Sequence, residues 1–419
     1  MSETTKYSNH LRVGVLGIGI GASSLLRSIA AAPFASLAAG ADTNGDVLGR
    51  FSETFPTARC YNDAAALCRD SDIDVVWIST PTALHAEHAI LAANHGKHVA
   101  VSKPLTTSLD DGLHMLEAAD RAGVVLMAGH SLGFSPAIRR MAGMAQPGSP
   151  VGAAKAIQLQ SFTDWVLLPR NPEELDVTRG GGLTDRQSPH QIDAARVLGG
   201  GMVESVSGYS AAWMPERPIP GFYAAFLRFE NGALATLSHN GYGYLAGSEL
   251  VGWGKDLGIS GQNLSQRNLS RERIRRGENE QAAKHDQRLG GSNPLFSGVS
   301  ERKPWMPMHL GLTVVSCEHG ALRNSPFGVF VYSDTGVEDV EVLDDGNWFG
   351  ASEIAELYEY LRFGKPLVRD AAWGLATLEV TCALKESHRI GREVRLHHQV
   401  PIRPGAAMYS SDTKTFTSA

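Results

Sequence analysis

Two side chains in this sequence could move a proton, Lys103 and His190. Lys103 follows the apolar run 98–101, which is typical of a buried strand. His190 and Asp193 are three residues apart in a helical pattern, so they share a face and can hydrogen-bond. If a bound molecule places a positively charged ring next to a lysine, the pKa of that lysine falls, because the like charge and the loss of water both disfavour the ammonium. A neutral lysine or a histidine can then accept a proton from a reacting hydroxyl.

A glycine-rich loop near the start, GIGIGA at 17–22, has the pattern that holds a pyrophosphate. Gly17 permits a tight turn, and Gly19 lets the backbone approach the phosphates. The N–H groups at the start of the following helix would face the anion. Asp42, 20 residues after the motif, would accept hydrogen bonds from both ribose hydroxyls and repel a 2′-phosphate. We therefore predict NAD rather than NADP, although Asp42 could also be a turn-forming residue. The predicted cofactor-binding residues of this part are Gly17, Gly19, Ile20, Gly21 and Asp42.

Residues 11–130 alternate short apolar runs with helical patterns, which indicates βαβ units on a parallel sheet. The predicted strands are 12–16, 36–41, 74–79, 98–101 and 124–128, and the predicted helices are 83–94 and 108–122. Ser108 with Asp111 resembles a capping box, and Gly123 suits the end of that helix. Thr80 and Pro81 follow a strand at the carboxyl edge of the sheet, where open α/β sheets bind ligands.

After about residue 135 the strands lengthen and few helices intervene, which favours a largely antiparallel sheet with one exposed or partner-covered face. The predicted strands are 154–162, 202–212, 223–229, 233–239, 249–259, 312–317, 320–323 and 329–332, and the helices are 188–198, 351–362 and 374–390. The segment 265–288 carries seven basic and four acidic residues. It is typical of a solvated helix or a mobile loop, with a lid or an oligomer contact as the alternative.

Composition excludes several classes of protein. The 419 residues are 43% apolar, enough for a sizeable core, and their net charge of −6 gives no general affinity for nucleic acid. No apolar run approaches the roughly 18 residues of a membrane span, and the first ten residues lack a signal core. Four scattered cysteines without C-x-x-C predict reduced thiols in a cytoplasmic protein. Histidine pairs lack a third convergent ligand, so we predict no metal.

Several motifs together resemble the glucose–fructose oxidoreductase / inositol dehydrogenase family (Gfo/Idh/MocA) over about residues 11–400. They are GIGIGA, Asp42, STPTALHAEHAILAANHGKHVAVSKPL and GGGLTDRQSPHQIDAARVLGG. Within that family the chain looks most like the phthalate cis-4,5-dihydrodiol dehydrogenases. The stretches that carry this likeness are PRNPEELD, RQSPHQIDAARVLGGG, LTVVSCEHGALRNSPFGVFVY and WGLATLEVTCALKES.

The resemblance implies an α/β protein: an NAD(P)-binding Rossmann domain at 1–135 and a substrate-binding, oligomerising α+β domain at 136–404. The second domain would have a large, mostly antiparallel open sheet, followed by a frayed tail at 405–419. A homo-dimer or homo-tetramer is expected. Catalysis is assigned to Lys103 and His190. The further cofactor-binding residues are Thr80, Pro81, His85 and Lys103, and the substrate-binding residues are Lys103, His130, Arg170, Arg186 and His190.

The implied activity is hydride transfer between nicotinamide and a cyclic secondary alcohol, an aromatic-acid cis-dihydrodiol of the phthalate type. A sugar, glycoside or inositol dehydrogenase of the same family is the first alternative. A nucleotide-binding regulator without turnover is the second.

Two positions depart from the family pattern. Ser102 stands where the family usually has glutamate, which bears on cofactor affinity and on the tuning of Lys103. Arg186 stands where the family usually has aspartate, four residues before the histidine, and Asp185 is one residue off. A guanidinium beside His190 is suited to bind a carboxylate through two hydrogen bonds. Further candidate cations for a dicarboxylate are Arg139, Arg140, Arg170 and Arg179.

Overall fold

The computed structural model describes residues 10–129, 133, 135–252, 264–292, 311–342 and 348–403. These residues form two sheets, each packed against helices. His130 and residues 404–419, which include the predicted tail, lie outside the described part of the chain. Within that part, no helix combines the length and the apolar character needed to cross a membrane.

The first sheet is parallel, with strands in the order β3-β2-β1-β4-β5-β6. Its strands are β1 (Leu11–Leu16), β2 (Ala35–Ala41), β3 (Arg59–Tyr61), β4 (Val75–Ile78), β5 (His98–Ser102) and β6 (Leu126–Gly129). Its helices are α1 (Ala22–Ala31), α2 (Gly45–Thr54), α3 (Ala64–Arg69), α4 (His85–Asn94) and α5 (Leu109–Ala122). The strand order reverses between β1 and β4, and ligands of open α/β sheets bind at such a switch point.

The ends of α5 follow from local chemistry. The Ser108 side chain accepts a hydrogen bond from the backbone N–H of Asp111, which satisfies a free donor of the first turn. Gly123 ends the helix with φ 64°, a left-handed conformation that glycine adopts without a Cβ clash. Both predictions for this helix are confirmed.

The second sheet has the strand order β14-β13-β12-β11-β7-β10-β9-β8-β15 and is antiparallel except for the pair β7 and β10. Its strands are β7 (Ala154–Phe162), β8 (Val203–Ala211), β9 (Phe222–Phe229), β10 (Leu234–Asn240), β11 (Leu312–Cys317), β12 (Gly320–Asn324), β13 (Gly328–Ser333), β14 (Gly336–Glu341) and β15 (Val394–Arg395). The prediction of a mostly antiparallel sheet is confirmed. One face carries buried side chains against the helices Leu183–Gly199 and Ala371–Ile390, while Gln158, Tyr209 and Thr236 on the other face are exposed in the single chain.

The remaining helices connect the two sheets. They are α6 (Pro136–Met144), α7 (Leu183–Gly199), α8 (Leu264–Arg276), α9 (Glu280–Asp286), α10 (Trp348–Phe363) and α11 (Ala371–Ile390). Short 3₁₀ turns lie at Thr82–Leu84, Trp165–Leu167, Pro172–Glu174, Val177–Arg179 and Gly247–Leu250. Ile354 and Leu357 of α10 belong to the apolar core of the first sheet. The chain therefore returns to the first domain late, and the division at residues 135/136 stays a prediction.

Two element predictions need correction. The strand predicted at 249–259 is wrong for its described part, because Gly247–Leu250 is a 3₁₀ turn whose Glu249 carboxylate caps its own start. The helix predicted to begin at Ser188 begins at Leu183, five residues earlier. Pro189 suggested a helix start, since proline suits a first turn, but here it lies inside α7.

Candidate active site

Lys103 lies at the carboxyl end of β5, beyond Ser102, and points toward the second domain. Its Nζ donates a hydrogen bond to the backbone carbonyl oxygen of Arg186 at 2.7 Å. Burial, and after it the charges of Arg186 and Arg170, lower the pKa of Lys103 to about 7 against a smaller opposing effect of Glu174. A substantial fraction of this amine is therefore neutral near pH 7 and can accept a proton.

Arg186 reaches back from α7 to the first domain. Its Nη1 donates to the hydroxyl oxygen of Thr82 at 3.0 Å, while its buried Nε has no hydrogen-bond acceptor among the described residues. Burial lowers its pKa, opposed by the carboxylates of Glu174 and Asp185. A guanidinium does not lose its proton in this range, so the side chain brings a positive charge with an unused donor beside Lys103.

His190 lies one turn after Arg186 on α7, so both residues belong to the helix face that Lys103 contacts. Asp193, predicted to be able to pair with His190, accepts instead from the Trp373 indole N–H at 2.6 Å and from the backbone N–H of Gly133 at 3.0 Å. Asp193 therefore fastens α7 to α11. The catalytic role of His190 stays a prediction.

Arg170 is buried near Lys103 and Arg186, and several contacts hold its side chain. Its guanidinium stacks on the Trp165 ring with Cζ 3.7 Å from the ring centroid, and its Nε and Nη2 donate to the Trp165 carbonyl oxygen. Its Nη1 donates to Glu174 Oε1 at 3.2 Å. Burial lowers the pKa of Arg170 to about 10. Although burial alone would raise it, Arg170 and Lys284 lower the pKa of Glu174 to about 2.

The glycine loop has the shape of a pyrophosphate cradle. Gly17 has φ 90°, and a Cβ there would lie 2.7 Å from the backbone nitrogen of Thr80. By contrast, nothing lies within 4 Å of a Cβ built at Gly19, which leaves open space beside the start of α1. Gly21 is the cap residue of α1, so the N-terminal end of that helix borders this space. Ile20, between the two glycines, is half-buried. The residues present therefore fit a dinucleotide.

Asp42 lies at the end of β2 and supports the same loop. Its Oδ2 accepts from the backbone N–H of Ile18 and its Oδ1 from that of Asn44, both at 2.9 Å. Carboxylate oxygens accept more than one hydrogen bond, so the partly exposed group can also meet ribose hydroxyls. Its contact with the ribose stays a prediction.

His85 is buried between two loops of the first domain. Its ring is 2% exposed, with Nδ1 2.9 Å from the carbonyl oxygen of Pro104 and Nε2 2.9 Å from that of Thr80. Burial lowers its pKa to about 4. Because both ring nitrogens face backbone carbonyls, the ring joins the loops after β4 and β5. The contact of His85 with the cofactor stays a prediction.

Thr80 and Pro81 border the cradle as the strand order predicts. The Thr80 hydroxyl lies 3.0 Å from His88 Nδ1, and exposed Pro81 precedes the 3₁₀ turn that carries Thr82. Among the arginines considered as extra cations, Arg179 lies at the surface with Nη1 3.7 Å from Glu173 Oε1, and Arg140 is exposed.

Sequence reasoning missed four residues of this site: Thr82, Glu174, Lys284 and Lys385. Lys385 Nζ lies 2.5 Å from Asp185 Oδ1, so the Asp185 carboxylate pairs with Lys385. Glu174 belongs to the PRNPEELD stretch, which indicated the family likeness but gave no role for Glu174. The described residues contain no group of three or more potential metal ligands.

Comparison with known proteins agrees with this geometry. Residues 11–130 match the model of an oxidoreductase family with an NAD-binding Rossmann fold, and residues 150–247 match a GFO/IDH/MocA C-terminal domain. The chain is 32% identical over 383 residues to the 1-carboxy-3-chloro-3,4-dihydroxycyclohexa-1,5-diene dehydrogenase of Comamonas testosteroni, covering 90% of this chain and 94% of that protein. It is 27% identical to myo-inositol 2-dehydrogenase of Thermotoga maritima over 58% of this chain and 73% of that protein. A crystal structure of a Bordetella bronchiseptica RB50 protein described as a dehydrogenase has a TM-score of 0.82 and 33% identity, covering 92% of this chain and all of that one.

The glycine loop gives a first prediction. Gly19→Val should raise the Kd for NAD⁺ about tenfold or more at an unchanged Tm, because its side chain occupies space that only the cofactor uses. Gly17→Val is the matched control and should lower the Tm, since φ and the Thr80 backbone both exclude a Cβ. Thermal melting and NAD⁺ titration by fluorescence measure both. Wild-type NAD⁺ affinity in the Gly19 variant would contradict the cradle.

The lowered pKa of Lys103 gives a second prediction. The value of kcat/KM should fall as the pH drops below about 7, because protonated Lys103 cannot accept a proton. Lys103→Ala should reduce kcat by roughly 10²–10⁴-fold and remove that acidic limb. Stopped-flow absorbance of NADH between pH 5.5 and 9 measures both effects. A fully active alanine variant removes Lys103 from the mechanism.

Proposed function

The chain belongs to the Gfo/Idh/MocA oxidoreductase family and is a nicotinamide-dependent dehydrogenase, and we propose that it oxidises a cis-dihydrodiol whose ring carries carboxylate. One observation carries this proposal: the buried Arg186 guanidinium is near enough to Lys103 for its charge to lower the pKa of that amine. An uncharged sugar ring would leave that positive charge without a counter-ion, whereas a ring carboxylate supplies one. The Comamonas relative's name describes such a carboxylated diol.

The proposed chemistry needs a hydride acceptor and a proton acceptor. When bound, NAD⁺ accepts the hydride from the carbinol carbon. Gly17 makes the tight turn, Gly19 leaves room for its pyrophosphate, and Asp42 supplies carboxylate oxygens for its ribose. This arrangement favours NAD over NADP, because a 2′-phosphate would meet a like charge at Asp42.

Lys103 takes the hydroxyl proton while the carbinol carbon loses its hydride, so the alcohol becomes a ketone. Its hydrogen bond to the Arg186 carbonyl holds the amine in place without adding a negative charge that would raise its pKa. We assign to His190, one turn after Arg186 on α7, the exchange of a proton with the second hydroxyl. The ketone of a cis-dihydrodiol then enolises to a catechol, and aromatisation makes the oxidation effectively irreversible.

Arg186 gives the third prediction. Arg186→Gln should raise KM for a carboxylated cis-dihydrodiol about 10–100-fold, because hydrogen bonds to charged groups contribute roughly 1.5–3 kcal/mol. KM for an uncharged aryl cis-dihydrodiol should not change. Initial NADH formation at 340 nm, at saturating NAD⁺, measures both.

Arg389→Gln is the matched control, because Arg389 is exposed on α11 and pairs with Glu386. It should leave both KM values unchanged. Turnover of inositols or sugars with no activity on carboxylated diols would favour the sugar dehydrogenase alternative. NAD⁺ binding without turnover of any compound would favour the regulator.

We also propose that the chain forms a homo-dimer or homo-tetramer through the open face of the second sheet. That face presents Gln158, Tyr209, Phe226 and Thr236, and Tyr209 is 53% exposed in the single chain. Large exposed side chains that share one sheet face are typical of a protein interface.

The fourth prediction follows from this face. Size-exclusion chromatography with light scattering should give a mass of two or four chains. Phe226→Asp should shift it toward one chain of 44.9 kDa, because a carboxylate would then be buried without a partner. A monomeric wild-type chain would overturn the proposal.

A further inference from the structure

Helix α9 brings a buried cation into the active site from the charge-dense segment 265–288. Lys284 is 9% exposed, and its Nζ donates to Glu174 Oε2. Glu174 is the carboxylate that also holds the Arg170 guanidinium. Lysines are rarely buried unless they are paired, and Glu174 is the partner here. The pair brings the Lys284 ammonium close enough to Arg170 for the two charges to interact.

Both domains fix the position of α9. On one side, Glu280 accepts from the backbone N–H of Arg170 at 2.9 Å and from the Arg217 guanidinium. On the other side, His285 Nε2 lies 3.0 Å from Nη2 of Arg50, which belongs to α2 of the first domain. Shortly after α9, Leu289 is 5% exposed in the apolar core of the first sheet. Lys284 is thus held between the domains, where the substrate must lie.

The charges of the described residues around Lys103 do not balance. Arg170, Arg186 and Lys284 are cations, and Glu174 is the carboxylate that faces them. Burial lowers the pKa of Lys284 only to about 8, so it is charged at pH 7.

The other acids near this group have counter-ions of their own. The pairs are Asp185 with Lys385, Glu280 with Arg217, and Glu173 with Arg179. When Lys103 is neutral, the group therefore carries an excess of two positive charges, three cations against one carboxylate.

We propose that Lys284 is a specificity-determining residue that sets this excess and so makes the site prefer a ring with two carboxylates to a ring with one. The inference rests on the proposed oxidation of an anionic dihydrodiol. Uncompensated charge in a buried site is costly, so a dianion is the ligand that neutralises the group. An ammonium has three N–H donors, and Glu174 takes one of them, which leaves Lys284 able to bind a substrate oxygen.

Titration calorimetry with the NAD⁺-saturated full chain tests this, with phthalate and benzoate as probes. Wild type should bind phthalate about tenfold or more tightly than benzoate. Lys284→Met should abolish this preference while leaving benzoate affinity within about twofold, and Lys284→Arg should retain it. Arg276→Met is the control, because Arg276 is 70% exposed on α8 and pairs with Glu272. It should change neither affinity.

A double variant separates charge from folding. Lys284→Met with Glu174→Gln removes one cation and one carboxylate, so the excess of two positive charges returns. The preference for phthalate over benzoate should return with it. The double variant also has no Glu174 carboxylate that lacks its lysine partner. Equal loss of both affinities in Lys284→Met, or an unchanged preference, overturns the inference. Equal binding of both probes by wild type overturns it while the proposed function stands. If wild type binds neither probe and oxidises uncharged rings, both fail.

Discussion

The hydrogen bond from Lys103 to the Arg186 carbonyl is the contact on which the site depends. It joins the end of β5 in the first domain to α7 in the second, and the acceptor is a neutral oxygen. A carboxylate in its place would stabilise the ammonium and raise the pKa of Lys103, whereas a carbonyl leaves burial and nearby cations to lower it to about 7. The same contact therefore aligns the two domains and keeps the amine able to accept a proton.

A group of buried cations is stable only where other parts of the fold compensate it. Arg170 stacks on Trp165, and Arg170 and Lys284 share the single carboxylate of Glu174, which compensates the two cations in part. Arg186 is different, because only Thr82 receives a hydrogen bond from its guanidinium among the described residues. The site is thus held together by Glu174 and keeps Arg186 for a ligand.

Much of this arrangement follows from local sequence patterns. The apolar runs of the first sheet, the Ser108 cap and the Gly17 turn depend on neighbouring residues, so they were predictable. Lys284 was not, because the pattern 265–288 is that of a solvated helix, and its partner Glu174 is 110 residues away in sequence. The start of α7 was misplaced for a similar reason: tertiary packing keeps Pro189 inside a helix that its local preference would begin.

The two departures from the family pattern have different surroundings. Arg186 replaces an acid with a cation beside Lys103, and Asp185, the nearest acid in sequence, is taken by Lys385. Ser102 replaces a glutamate with a hydroxyl that accepts from the Trp77 indole at 3.2 Å and donates to Ser79. An acid at position 186 would have favoured the ammonium form of Lys103, whereas the Arg186 charge lowers its pKa. The arginine therefore makes the amine easier to deprotonate, and it leaves a positive charge of the site to be balanced by the proposed substrate.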